Sequence, residues 1–189
     1  KKDIYQAEFN KIIRYGYPKE IVFFLRDCTN GIVYEDKLFV GSSDKGIYIA
    51  VFDLSGNRLY EINRDYEKRK VTEPEKVQTI DRLKKRLPKS EWEKRKMMYD
   101  YRFPEYYPAF ESFAVDRKKI YIFKFPKDNK LEIFILNLKG DLVRKKIIPD
   151  NTMPGCIWFN RFDLKDDCFF YLKENDDTGN WEIHAEKLD

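Results

Sequence analysis

The chain is short of the residues that build most reactive sites. It holds one histidine, His184, three cysteines and eight glycines. A zinc site ordinarily draws on several His or Cys ligands. The cysteines Cys28, Cys156 and Cys168 have spacings that fit no zinc or redox motif. They are expected to be free, mostly buried thiols, with a single disulfide left open. The same scarcity leaves no Cys–His or Ser–His nucleophile pair unless His184 itself serves. No glycine-rich phosphate loop is present. Long apolar runs are missing too. Stretches such as Ile21-Val22-Phe23-Phe24-Leu25 are strand-sized, whereas a membrane-spanning helix needs about 20 residues. No secretory signal pattern is read in the chain, which opens on Lys1-Lys2-Asp3 without Met, as a mature form or a fragment would. Nor is one sign of charge in large excess. Against 33 Asp and Glu stand 37 Lys and Arg, a formal +4. That imbalance attracts a polyanion only weakly, so nucleic acid is not an expected partner.

What is present suits sheets. Aromatic residues make up 16% of the chain, with 13 Tyr and 15 Phe. Together with branched side chains they favour strands. Charged residues reach 37%, yet chains that stay disordered lack this aromatic content. The clearest stretch is 113–148. Phe113-Ala114-Val115-Asp116, Lys119-Ile120-Tyr121-Ile122-Phe123, Leu131-Glu132-Ile133-Phe134-Ile135-Leu136 and Leu142-Val143-Arg144-Lys145-Lys146-Ile147-Ile148 follow one another. Turn-forming residues separate them, ending with Lys139-Gly140-Asp141. That is the pattern of a four-stranded antiparallel meander.

The pattern recurs. Ile32–Tyr34, Lys37–Val40, Ile47–Phe52 and Leu59–Ile62 form an earlier copy, and Arg161–Leu164, Cys168–Leu172 and Trp181–Leu188 a later one. Phe52-Asp53-Leu54-Ser55-Gly56-Asn57 matches Leu136-Asn137-Leu138-Lys139-Gly140-Asp141, and its glycine supplies the positive φ of a hairpin loop. Leu54, Leu138 and Leu188 take equivalent places. The second interval suits a repeat of about 40–50 residues, and the longer first one implies an insertion of roughly 35.

Residues 65–108 supply that insertion and its return to the sheet. Thr72-Glu73-Pro74-Glu75 predicts a helix start with Thr72 as cap and Glu75 in the capping-box place. Val77, Ile80, Leu83 and Leu87 follow at helical spacing. Ser90 is a candidate cap for a second helix carrying Trp92, Met97 and Met98 on its apolar side. Residues 1–30 read less clearly. Ile21–Leu25 is expected to be a buried strand, and residues 1–15 or 21–25 could supply the fourth strand that the last copy lacks.

The sequence therefore predicts an all-β chain of four-stranded antiparallel meanders, the unit of a β-propeller blade. A small helical insert lies near 72–100, and 1–189 form a single domain or partial β-propeller. The helical charged insert, Phe103-Pro104-Glu105-Tyr106-Tyr107-Pro108-Ala109-Phe110, Phe113-Ala114-Val115-Asp116 and Lys119-Ile120-Tyr121-Ile122 carry a resemblance. In that order they resemble the bacterial six-bladed β-propeller proteins related to the NHL-repeat group. The chain departs from that pattern where Arg117-Lys118-Lys119 replaces the usual Asp-Gly. The resemblance implies about three blades, the C-terminal half of such a propeller. Missing blades or a second copy would then close the ring. It also implies export to the cell envelope.

On chemistry, His184 alternates on one sheet face with Glu182 and Glu186. Glu174-Asn175-Asp176-Asp177-Thr178-Gly179-Asn180 has oxygen ligands and a glycine, a composition open to Ca²⁺, but reads first as a solvated hairpin. The basic run Arg82–Arg86 and Lys94–Lys96 is diluted by acids and reads as a solvated helical face. Tyr106 and Tyr107 are the candidate ligand-binding residues, since paired tyrosines offer stacking area and hydroxyls. No catalytic residues, metal ligands or required cofactor are assigned. The expected function is a non-catalytic binding or interaction module for a peptide, glycan or protein partner. The alternative is a propeller-type hydrolase or lyase using carboxylates and Ca²⁺ at its axial face.

Overall fold

The computed structural model describes residues 20–25, 29–85, 87–128, 130–149, 162–175 and 178–188. In chain order they form β1 (Glu20–Phe23), β2 (Thr29–Tyr34), β3 (Lys37–Ser42), β4 (Ile47–Asp53), β5 (Arg58–Arg64), α1 (Glu73–Lys85) and α2 (Lys89–Met98). There follow β6 (Tyr99–Arg102), β7 (Ser112–Asp116), β8 (Lys119–Phe123), β9 (Lys130–Asn137), β10 (Leu142–Pro149), β11 (Phe162–Lys165), β12 (Cys168–Glu174) and β13 (Trp181–Lys187). The chain is mainly β and divides into two compact units. The first holds β1, α1, α2 and β6; the second holds the remaining strands.

In the first unit, β1 runs parallel to β6, with Glu20 opposite Tyr99 and Phe23 opposite Arg102. Residues 21–25 therefore do not complete the last sheet, contrary to one expectation; the other, residues 1–15, lies outside the described residues. Ring contacts account for the pairing. Phe24 stacks on Phe103 at 4.9 Å and tilts against Tyr101 at 5.5 Å. The strand is also less buried than its apolar run predicts, with Phe23 at 37% exposure.

Helix α1 starts with half of its predicted capping box. Glu75 accepts from the Thr72 backbone N–H (2.9 Å), but the Thr72 hydroxyl donates to the same carboxylate (2.8 Å) rather than capping a backbone N–H. Its apolar spacing is not matched by burial: none of its described side chains is buried, and Val77 is exposed. Helix α2 is capped by Pro88, and Ser90 lies inside it without capping. Trp92 is buried and stacks on Tyr101, but Met97 and Met98 are exposed. Of the basic run, Arg95 and Lys96 pair with Glu91 and Glu93 one helical turn away.

The second unit holds three antiparallel sheets in the orders β2-β3-β4-β5, β7-β8-β9-β10 and β11-β12-β13. Strand alternation organises their packing, because successive side chains leave opposite faces. From β8, Ile120 and Ile122 enter one core with Phe39, Ile47, Ile49, Val51 and Ile62 of the first sheet. Their neighbours Tyr121 and Phe123 enter a second core with Phe169 and Tyr171 of the third. Strand β9 does the same, with Leu136 in the first core and Leu131, Ile133 and Ile135 in the second. Through β8 and β9 the middle sheet thus packs on both faces. Strand β7, the first of its sheet, lies beside both β2 and β11, the first strands of its neighbours. The last strands β5 and β10 are mostly exposed.

The three matched leucines each follow the third strand of their sheet. Leu138 packs on the core shared with the first sheet, and Leu188 is buried in the core shared with the second. Each faces the sheet before it in the chain. Leu54 occupies the same place in the first sheet and is 67% exposed. The loop glycines behave as expected, Gly56 at φ 84° and Gly140 at φ 92°.

Candidate functional site

The first strand of each sheet in the second unit leads into a hairpin turn, at 34–37, 116–119 and 165–168, and hydrogen bonds tie the second turn to the other two. Lys118 N–H donates to the Tyr34 hydroxyl at 3.0 Å. Arg117 grips Asp166 Oδ1 through Nε (3.1 Å) and Nη2 (2.8 Å). Asp167 N–H donates to Asp116 Oδ2 at 3.4 Å. The backbone at these turns is unusual. Glu35, Arg117, Lys118, Asp166 and Asp167 all have φ between 44° and 60°, the left-handed region that favours glycine. Asp tolerates it; Arg and Lys do so at a cost. The Asp-Gly that the resemblance leads one to expect would have fitted without strain.

Asp167 is the centre of the cluster. Its carboxylate accepts from Lys119 Nζ at 2.8 Å and from the Tyr121 hydroxyl, while its carbonyl accepts from Leu188 N–H at 2.9 Å. Burial alone would raise the Asp167 pKa, but the Lys119 and Tyr121 hydrogen bonds outweigh it and hold it below the usual carboxylate range. Tyr121 is pushed well above an ordinary phenol, first by burial and then by Asp167. A carboxylate engaged by an ammonium and a phenol binds and positions; it is poorly placed to accept a substrate proton. The Arg117–Asp166 pair stands out in solvent, both side chains more than half exposed. The cluster is therefore firm beneath and polar above.

Tyr106 and Tyr107 lie in the first unit and pair with the segment before α1. Lys70 and Tyr106 form an antiparallel bridge, flanked by Val71 N–H to Glu105 O (2.9 Å) and Tyr107 N–H to Arg69 O (2.8 Å). The Tyr106 ring is 40% exposed, with Lys68 Nζ 5.9 Å from its centre. The Tyr107 ring is half-buried beneath the Arg69 guanidinium at 3.6 Å. Burial and the neighbouring Glu75 push its hydroxyl up to about 12, against the pull of Arg69. Tyr107 is anchored while Tyr106 presents its ring.

His184 stacks on Tyr171 at 5.4 Å between centroids, with Nε2 3.2 Å from Glu182 Oε2. Among the described residues no three His, Cys, Asp or Glu side chains are grouped to hold a metal ion. Of the turn proposed for Ca²⁺, Asp176 and Asp177 lie outside the described residues. Cys168 is a free, half-buried thiol; Cys28 and Cys156 also lie outside. No helix of the described residues is long and apolar enough to cross a membrane. Sequence reasoning missed the turn cluster. Its one available signal was the charged Arg117-Lys118 and Asp166-Asp167 pairs where hairpins favour Asn-Gly or Asp-Gly. Compared with known protein families, curated proteins and solved structures, the chain matches none.

Proposed function

We propose that the chain is a non-catalytic binding module of β-propeller type. Its three sheets are consecutive blades, and its ligand is a peptide, glycan or protein partner bound at the polar turns of the inner strands. One observation carries the reading. Through β8 and β9 the middle sheet packs on both faces, and its first strand lies beside the first strands of both neighbours. Sheets stacked face to face with their first strands together and their last strands exposed are arranged like propeller blades around an axis. The exposed Leu54, whose counterparts each pack on the preceding sheet, marks where a further blade would sit. Residues kept in strained backbone at the mouth of such an axis suit recognition, since strain persists where function requires it. Export to the cell envelope belongs to the same proposal.

The test is an NMR titration with panels of oligosaccharides and short peptides, followed by analysis of each ligand. Saturable shifts confined to residues 34–37, 116–119 and 165–168, weakened by Arg117→Ser and with the ligand recovered intact, support the proposal. A cleaved or eliminated ligand, accompanied by stoichiometric calcium that survives dialysis, would instead favour the hydrolase or lyase reading.

A further inference from the structure

The positive charge of the chain is not spread evenly. Residues 68–107 hold 13 Lys and Arg against 7 Asp and Glu, and the rest of the chain holds 24 against 26. The whole excess therefore lies in this part of the first unit. Here two short segments pair across Lys70 and Tyr106. The hydrogen bonds on either side, Val71 N–H to Glu105 O and Tyr107 N–H to Arg69 O, make this a non-hydrogen-bonded antiparallel pair. In such a pair the opposed side chains stand closest, on one face. Lys70 thus lies beside the Tyr106 ring, and Lys68 Nζ is 5.9 Å from the ring centre. All three side chains are exposed, and among the described residues neither lysine has a carboxylate partner. Strand alternation sends Glu105 and Tyr107 to the other face. There the Arg69 guanidinium covers the Tyr107 ring at 3.6 Å and lies 3.9 Å from Glu75, which holds the start of α1. With its lower face locked, the ladder holds the upper one ready for a ligand.

We propose that Tyr106, Lys68 and Lys70 bind a uronic-acid ring of an acidic glycan, at a site separate from the turns of the second unit. The face of a pyranose presents C–H bonds, which pack on the negative face of an aromatic ring. Its carboxylate projects from the ring edge, where the two ammonium groups beside Tyr106 receive it. Each ammonium–carboxylate contact is a charge-assisted hydrogen bond. A neutral sugar gains the stacking alone. The surplus of cations in 68–107 draws an anionic chain in, and salt weakens that attraction. Single-stranded nucleic acid fits less well, since it uses successive aromatic platforms along a groove, and Tyr106 offers one ring. The proposal does not depend on the blade arrangement.

The test is an NMR titration of the whole chain with tetragalacturonate, its fully methyl-esterified form and oligothymidylate. Tetragalacturonate is expected to shift residues 68–70 and 105–107 saturably, and added salt to weaken its binding. The ester is expected to bind at least about tenfold more weakly, as loss of a hydrogen bond to a charged group implies. Tyr106→Ala is expected to abolish binding with the melting temperature unchanged, and Tyr106→Phe to retain it. Lys68→Gln and Lys70→Gln are each expected to weaken binding and flatten its salt dependence. Should Tyr106→Ala lower the melting temperature, the lysine variants and the ester carry the test. The proposal is overturned if tetragalacturonate does not bind, if acid and ester bind equally, or if neither lysine variant changes the affinity. Shifts confined to 34–37, 116–119 and 165–168 would place the glycan at the turns of the second unit and also overturn it. Tighter binding of oligothymidylate at residues 68–70 and 105–107 would assign the site to nucleic acid and likewise overturn it.

Discussion

Asp167 shows how much one residue can hold in place. Its carboxylate takes an ammonium from Lys119 and a hydroxyl from Tyr121, its N–H reaches Asp116, and its carbonyl receives Leu188. The carboxyl is 14% exposed, so its interactions are screened less than those of surface pairs. Hydrogen bonds to a charged group contribute roughly 1.5–3 kcal/mol. Asp167→Ala should therefore destabilise the fold by about 2 kcal/mol in urea unfolding at neutral pH. The sign with pH follows from the depressed folded pKa. The contribution is complete above the unfolded carboxyl value, near 3.9, and is lost as pH falls through the folded value. The stability gap between the unsubstituted chain and the Asp167→Ala variant should accordingly shrink on acidification below about pH 4. A gap that is unchanged or wider in acid would show that the carboxylate is not what holds the turns together.

At the scale of elements, turns decide both register and spacing between sheets. Gly140 sits at φ 92° in the β9–β10 loop, and a Cβ there would lie 2.5 Å from Ile62 Cγ2 of the neighbouring sheet. Arg64 also donates to Gly140 O at 2.7 Å. Gly140→Ala combines a strained φ with overpacking, each costing roughly 1–3 kcal/mol. Calorimetry should record a clear fall in melting temperature. An unchanged melting temperature would mean that the two sheets are not in close contact at this loop.

The same elements explain what could be read in the chain. The strands of 29–64, 112–149 and 162–187 were legible because alternation and Gly, Asn and Asp punctuation are local. Thr72 and Glu75 were legible because a capping box spans four positions. The parallel pairing of β1 with β6 was not, since Glu20 and Tyr99 are far apart in sequence and nothing local specifies their partnership. Tyr121 read as an ordinary strand aromatic; only the arrival of Asp167 from another sheet gives its hydroxyl a role. Tyr106 and Tyr107 were legible as a pair, but Arg69, which separates their environments, was not. The exposed Val77 shows the converse, a helical apolar spacing that the described residues do not bury.

For the whole molecule the central claim is the packing of the middle sheet on both faces. Everything proposed about blades, an inner axis and a polar turn surface rests on that arrangement. Two separate sheet–sheet cores account for it, one through Ile120, Ile122 and Leu136 and the other through Ile133, Ile135 and Tyr121. Burying each of the isoleucine and leucine side chains contributes roughly 1.5–3 kcal/mol, so neither core is incidental to stability. The most direct measurement is a methyl-detected nuclear Overhauser spectrum with isoleucine methyls labelled and phenylalanine rings protonated. The account expects Ile122 to show contacts to Ile49 or Phe39 of the first sheet, and Ile133 to show contacts to Phe169 of the third, in the same sample. Contacts from Ile122 with none from Ile133 to Phe169, or both sets reaching a single neighbouring sheet, would contradict it.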